Sequence, residues 1–215
     1  MANYSDIKGF TVQTLSSDTA ASQIATGSWA STTSLNTARH SLRGAGTQTQ
    51  SIMFGGDAGA PSVSNATESW NGSAWTEVNN LNTARATHAG AGTYTSAIAM
   101  AGATPSYVAN AETWDGTDWT AVSNLNTARG ELAGAGIQTA ALAFGGDTPA
   151  TPGTTREANT ESYNGSTWTE VGDMGTGRQS SGGAGSTTSA LVSGGSAPSG
   201  PGAVTTTEEW SGNEF

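Results

Sequence analysis

Four arginines, Arg39, Arg85, Arg129 and Arg178, are each followed 27 to 32 residues later by a glutamate: Glu68, Glu112, Glu161 and Glu208. A planar guanidinium presents a fork of donors that matches a carboxylate. Two chemistries follow from that. The arginines form a ring that gathers an acidic ligand, or each is held by its glutamate or by backbone carbonyls as a structural element. Recurrence in every copy favours the structural reading, because a binding site usually breaks internal symmetry. Other candidate chemistry is sparse. His40 and His88 are the only histidines and there is no cysteine, so neither a zinc site nor thiol chemistry is expected. Asp57 and Asp147 each follow a double glycine. They suit a calcium loop or, more commonly, the cap of a turn. No set of residues points to a nucleophile and its base, so no catalytic residue, no metal and no cofactor are expected. The recurring tryptophans read as packing residues rather than as a sugar platform, since they return at constant strand positions.

The elements that position these residues are written four times. The first copy runs Asn36-Thr37-Ala38-Arg39, Gly44-Ala45-Gly46, Ser51 to Gly56, Glu68-Ser69-Trp70-Asn71-Gly72, then Trp75. The other copies carry Gly90-Ala91-Gly92, Gly134-Ala135-Gly136 and Gly183-Ala184-Gly185 at the same place, and Trp114, Tyr163 and Trp210 where the first has Trp70. The arginines step by 46, 44 and 49 residues, and the glycine elements keep those steps. All length variation falls between the double glycine and the glutamate, in segments 57–67, 103–111, 147–160 and 196–207. A period of this size marks a repeat architecture in which no unit buries its apolar face alone.

Within a copy the signals are those of short strands. The apolar runs Ile52–Phe54, Ala97–Met100, Ala140–Phe144 and Ala190–Val192 read as strands buried on both faces. Ala66–Trp70 and its equivalents are strand-like by threonine and aromatic content. Asn71-Gly72, Asp115-Gly116 and Asn164-Gly165 then predict hairpins into Trp75–Val78 and its counterparts. No segment carries a helical period. The Gly-Ala-Gly element falls on the innermost strand, where glycine permits close backbone approach around a narrow axis.

An apolar run ending in Gly-Gly, an aromatic on the third strand, a turn and a spaced Trp resemble the kelch repeat. That resemblance covers 29–215 and implies an all-β, four-bladed β-propeller. The double glycine departs to Ala101-Gly102, and Tyr163 replaces one Trp. Ring closure is expected from the ends. The fourth copy stops just past Trp210, while Gly27-Ser28-Trp29 resembles Gly72-Ser73-Ala74-Trp75. Residues 29–34 are therefore expected to pair beside 205–210 and complete the last blade, protecting its edge. The expected organisation is a leader or strap over 1–28 and one propeller over 29–215. Its blades lie near 40–79, 86–123, 130–172 and 179–215 plus 29–34. Exchange of the closing strand between two or more chains in a larger ring stays open.

Seventeen acidic against seven basic residues leave a net charge of −10, a balance that disfavours phosphate neutralisation and hence nucleic acid. No segment is apolar enough to span a bilayer, and no secretory signal is visible at Met1-Ala2-Asn3-Tyr4. Low charge with abundant Thr, Ser, Ala and Asn resembles accessory and structural proteins of tailed, especially marine, phages. That resemblance implies a non-enzymatic virion protein, made in the host cytoplasm, that meets a host surface or other virion proteins. The alternative is a free lectin-like or protein-binding propeller of cellular origin. Because loops on a rigid scaffold concentrate binding residues, the expected contact set is Asp57, Tyr107, Asp147, Arg156 and Glu157.

Overall fold

The strand pattern and turn residues produce antiparallel sheets, one per copy of the repeat. The computed structural model describes residues 29–59, 63–149, 156–197 and 202–212. The leader 1–28 and parts of three variable segments thus lie outside the described residues. The first sheet comprises β1 (Arg43–Gly46), β2 (Ser51–Phe54), β3 (Thr67–Trp70) and β4 (Trp75–Val78) in that order. The second comprises β5 (Ala89–Thr93), β6 (Ser96–Met100), β7 (Ala111–Trp114) and β8 (Trp119–Val122). The third comprises β9 (Ala133–Ile137), β10 (Ala140–Phe144), β11 (Thr160–Tyr163) and β12 (Trp168–Val171). The fourth has three strands, β13 (Gly182–Gly185), β14 (Ser189–Ser193) and β15 (Thr207–Ser211). No helix occurs among the described residues.

Residues 33–215 form one compact unit, in which the innermost strand of each sheet packs on that of the next: β1 on β5, β5 on β9, β9 on β13. This propeller-like succession places an apolar cluster at each junction. Ile52, Phe54 and Leu81 meet Ala97, Ala99, Trp114 and Trp119 between the first two sheets. Ile98, Met100 and Leu125 meet Ala141, Ala143, Tyr163 and Trp168 between the next two. Leu142 and Phe144 meet Ala190, Val192 and Trp210 at the third junction. The fourth-strand Trp is central to the packing, with the Trp119 ring edge-on to Phe54 at 4.8 Å.

Where a closing strand is expected, the described residues 29–34 carry no strand, β15 pairs with β14 alone, and Trp29 is fully exposed. Burial follows from this openness. β5 and β9 bury alternate residues, whereas β1 is half-buried and β13 exposed throughout. The first and last sheets each lack one neighbour.

The glycine motif serves the close approach of neighbouring sheets, their innermost strands included: a Cβ at Gly183 would lie 3.0 Å from Gly134 O. A side chain at its first glycine would collide with the preceding sheet. A Cβ at Gly90 would lie 2.9 Å from Phe54, at Gly134 2.6 Å from Met100, and at Gly183 2.7 Å from Phe144. The last glycine of the motif has φ between +106° and +123° in every copy, which only glycine adopts without strain. One glycine thus admits the neighbouring sheet, and the other turns the hairpin.

Candidate functional site

The arginine–glutamate pairs are the most buried polar feature. Arg85, Arg129 and Arg178 are fully buried, and so is the Arg39 side chain. Arg39 Nη2 meets Glu68 Oε1 at 2.6 Å, Arg85 meets Glu112 at 2.5 Å, and Arg129 meets Glu161 at 2.8 Å; Arg178 pairs with Glu208 in the same way. Each Nη1 donates to two carbonyls of the same sheet: Gly55 and Ala66, Ala101 and Asn110, Gly145 and Asn159, Gly194 and Thr206. Burial pulls Arg85 and Arg129 below the usual guanidinium range, and the paired carboxylates oppose it. None of these four guanidinium groups reaches solvent.

The backbone of the same arginines binds the preceding sheet. Arg85 N–H donates to Ser64 O at 3.2 Å and its carbonyl accepts from Gly56 N–H at 2.8 Å. Arg129 makes the equivalent bonds to Val108 and Gly102, and Arg178 to Glu157 and Gly146. Each of these three arginines therefore rivets two sheets, backbone to one and side chain to the next. The repeated spacing predicts a structural arginine; the division of labour between backbone and side chain has no signature in residue type.

The variable segments start from a uniform base. The residue after each double glycine is bridged on one side to the residue after an arginine, and on the other to the returning loop. Asp57 lies between His40 and Val63, Ala103 between Ala86 and Tyr107, Asp147 between Gly130 and Arg156, and Ser196 between Gln179 and Ala203. The loops and arginine linkers therefore share one face, as the alternation of strands predicts. The expected contact residues separate by burial. Asp57, Tyr107, Arg156 and Glu157 are partly exposed. Asp147, expected in the exposed polar set, is instead buried, with Oδ1 accepting the Thr148 N–H at 3.1 Å. Asp57 accepts from Gly59 N–H at 2.8 Å, a turn-capping bond. The Tyr107 ring covers Gly130, and burial, then the charges of Glu131 and Asp147, raises its phenol above the ordinary range. Thr148 Oγ1 donates to Glu157 at 3.2 Å, and Arg156 Nη2 reaches Ser196 Oγ at 3.3 Å.

A second feature of this face escapes sequence inspection. Ser41, Thr87, Glu131 and Ser180, each two residues past an arginine, have φ of +53° to +56°. They line a hollow of about 330 Å³ together with Arg43 and Ser181. Left-handed backbone at non-glycine residues is uncommon. Here the backbone links the sheets: Thr87 N–H donates to Ser41 O, Glu131 N–H to Thr87 O, and Ser180 N–H to Glu131 O, at 2.7–3.1 Å. The only available signal was a constant offset from the arginine, without a constant residue type.

His88 is fully buried, at the place that Leu42 and Leu132 hold in the first and third copies. Neither ring nitrogen has a hydrogen-bond partner. Burial, then the charges of Arg85 and Arg43, holds it well below the usual imidazole range. A neutral imidazole packed 5.4 Å from the Phe54 ring is a core group, not a ligand. His40 is exposed, with Nε2 3.9 Å from Asp57 Oδ2. Among the described residues no group of three or more His, Cys, Asp or Glu is arranged to hold a metal ion. No helix of the described residues is long and apolar enough to cross a membrane. No protein-family model and no curated protein matches this chain.

Proposed function

We propose that this chain is a non-enzymatic binding or structural module, a four-bladed kelch-like propeller whose last blade is completed by residues 29–34. It works as a virion-associated protein of a tailed phage and contacts a host surface or other virion proteins through its variable segments. The observation that carries the binding part is the uniform two-sided bridge beneath four segments of unequal length. Such a base lets segment 147–160 differ from segment 103–111 without disturbing the strands, and loops on a rigid scaffold are where recognition concentrates. Tyr107, Arg156 and Glu157 offer an aromatic face and both charge signs at that surface. The net charge of −10 favours a protein or glycan partner over nucleic acid. The virion assignment rests on composition alone.

Replacing 148–155 with a Gly-Ser linker of equal length is expected to leave the melting temperature within a few degrees of wild type. The same variant is expected to bind purified virions or host cells at least tenfold more weakly. Wild-type binding after all four segments are replaced would overturn the loop reading. Absence of the protein from purified particles would overturn the virion reading. Selective retention on a glycan array would favour the lectin-like alternative.

A further inference from the structure

Three junctions between successive sheets are built from the same backbone bonds, and the two open ends of the array hold the two halves of a fourth. At each junction a leucine or methionine four residues before the arginine donates its N–H to the returning loop: Leu81 to Asn65 O, Leu125 to Ala109 O, Met174 to Ala158 O, at 2.9–3.0 Å. The arginine N–H donates to the residue before that acceptor, its carbonyl accepts from the second glycine, and the left-handed residue donates to its counterpart. On the first sheet the corresponding groups are Leu35 N, Arg39 N, Arg39 O and Ser41 N. On the last they are Thr205 O, Val204 O, Gly195 N and Ser180 O. Among the described residues none of these eight groups has a backbone partner. Each donor in one set has an acceptor as its counterpart in the other.

We infer that the first and last sheets bond to one another within a single chain through these four hydrogen bonds, Leu35 to Thr205, Arg39 to Val204, Gly195 to Arg39 and Ser41 to Ser180. This deepens the closed-ring part of the proposal above and is independent of what the loops bind. The side-chain half of the joint is already in place. Arg39 is riveted to Glu68 and the Gly55 and Ala66 carbonyls, and Asn36 N–H donates to Glu68 Oε2 at 2.7 Å. Thr33 Oγ1 donates to Ser73 O at 3.0 Å, as Ser123 Oγ does to Ser166 O at the second junction. Linker 33–39 is therefore seated on its own sheet as the other linkers are on theirs. Ser41 and Arg43 line the same hollow as Ser180 and Ser181, so the two ends face a common space. A second copy of the chain would have to bring these groups together against that proximity.

The third junction supplies a matching vacancy. Leu142, Phe144, Thr160, Met174, Val192 and Trp210 line a recess at the place that Trp119 fills at the first junction against Phe54 and Leu81. There the indole N–H of Trp119 donates to Thr67 Oγ1 at 3.0 Å, and Thr160 is the equivalent of Thr67. Trp29 stands six residues before Leu35, as Trp119 stands before Leu125 and Trp168 before Met174.

The full chain has no cysteine, so a reporter pair can be introduced cleanly. Ser41→Cys with Ser180→Cys is expected to lose both thiols on mild oxidation while the protein stays monomeric by light scattering. Glu131→Cys with Ser180→Cys is the control, because Ser180 N–H already donates to Glu131 O at 2.8 Å across an existing junction. A control pair that closes while the Ser41–Ser180 pair stays reduced would overturn the joint, and disulfide-linked dimers would transfer it to a second copy. In unmodified protein, the amides of Leu35, Arg39, Ser41 and Gly195 should exchange as slowly as those of Leu81, Arg85, Thr87 and Gly56. Exchange a hundredfold faster would overturn it equally. Trp29→Ala is expected to lower the melting temperature by several degrees. Slow exchange with an unchanged melting temperature would retain the joint and sink the closing strand.

Discussion

Arg129→Ala is expected to destabilise the protein by about 3–5 kcal/mol, the cost of removing one partner from a buried ion pair. Three groups lose a charged donor at once: Glu161 Oε1 and the Asn159 carbonyl, left with the Thr127 and Gly145 N–H groups, and the Gly145 carbonyl. All lie where water cannot replace the guanidinium without opening the junction. The backbone bonds of residue 129 to Val108 and Gly102 survive the substitution. The loss is therefore a measure of the side-chain half of one rivet. Arg129→Lys should recover only part of it, since a compact ammonium cannot span a carboxylate and two carbonyls as the planar fork does. Urea denaturation at neutral pH measures both. A loss below 1 kcal/mol for Arg129→Ala would mean that the pair is not held as the structure describes.

Lowering the pH from 7 to 5 is expected to destabilise the wild-type protein more than the His88→Leu variant. The folded His88 imidazole is held well below its ordinary value, so the unfolded chain binds the extra proton first. Stability from this group is complete above the unfolded value near pH 6.5. It falls as the pH drops below that value, for as long as the folded ring stays neutral. The slope is about 1.4 kcal/mol per pH unit. The groups facing the ring, Arg85, Arg43 and the Phe54 ring, offer no acceptor for an imidazolium. Leucine at 88 reproduces Leu42 and Leu132, removes two unpartnered nitrogens and should raise stability at neutral pH. Parallel pH profiles for the two proteins would show that His88 does not titrate on unfolding. The difference between them cancels the acid response of the carboxylates.

Much of the scaffold could be read directly from residue order. A recurring Gly-Gly after an apolar run, an aromatic two residues past each glutamate and an Asn-Gly or Asp-Gly turn located 11 of the 15 strands as outer and middle elements. The Gly-Ala-Gly runs located the innermost ones. The structural role of the arginines was legible because a feature present in all four copies belongs to the fold. Legibility ended where the relevant property was not carried by side-chain type. The junction bonds are made by backbone N–H and C=O groups, which every residue has, so Ser41, Thr87, Glu131 and Ser180 look unrelated until the chain places them in a row. The contact residues divided for the same reason. Asp57 and Asp147 both follow a double glycine, yet Asp147 is buried and Asp57 half-exposed, because burial depends on what the returning loop covers.

By itself the sequence determined the class of fold, the number of repeated sheets, their strand order and the face on which variable length accumulates. Those properties follow from local periodicity and turn chemistry, which act over a few residues. Only the tertiary structure decided which groups at each junction are satisfied, that the motif glycines admit a neighbouring sheet, and that His88 is a core residue. It also decided that the first and last sheets carry complementary open bonds. These outcomes depend on packing between segments well separated along the chain, where the energy lies in shared burial and matched backbone polar groups.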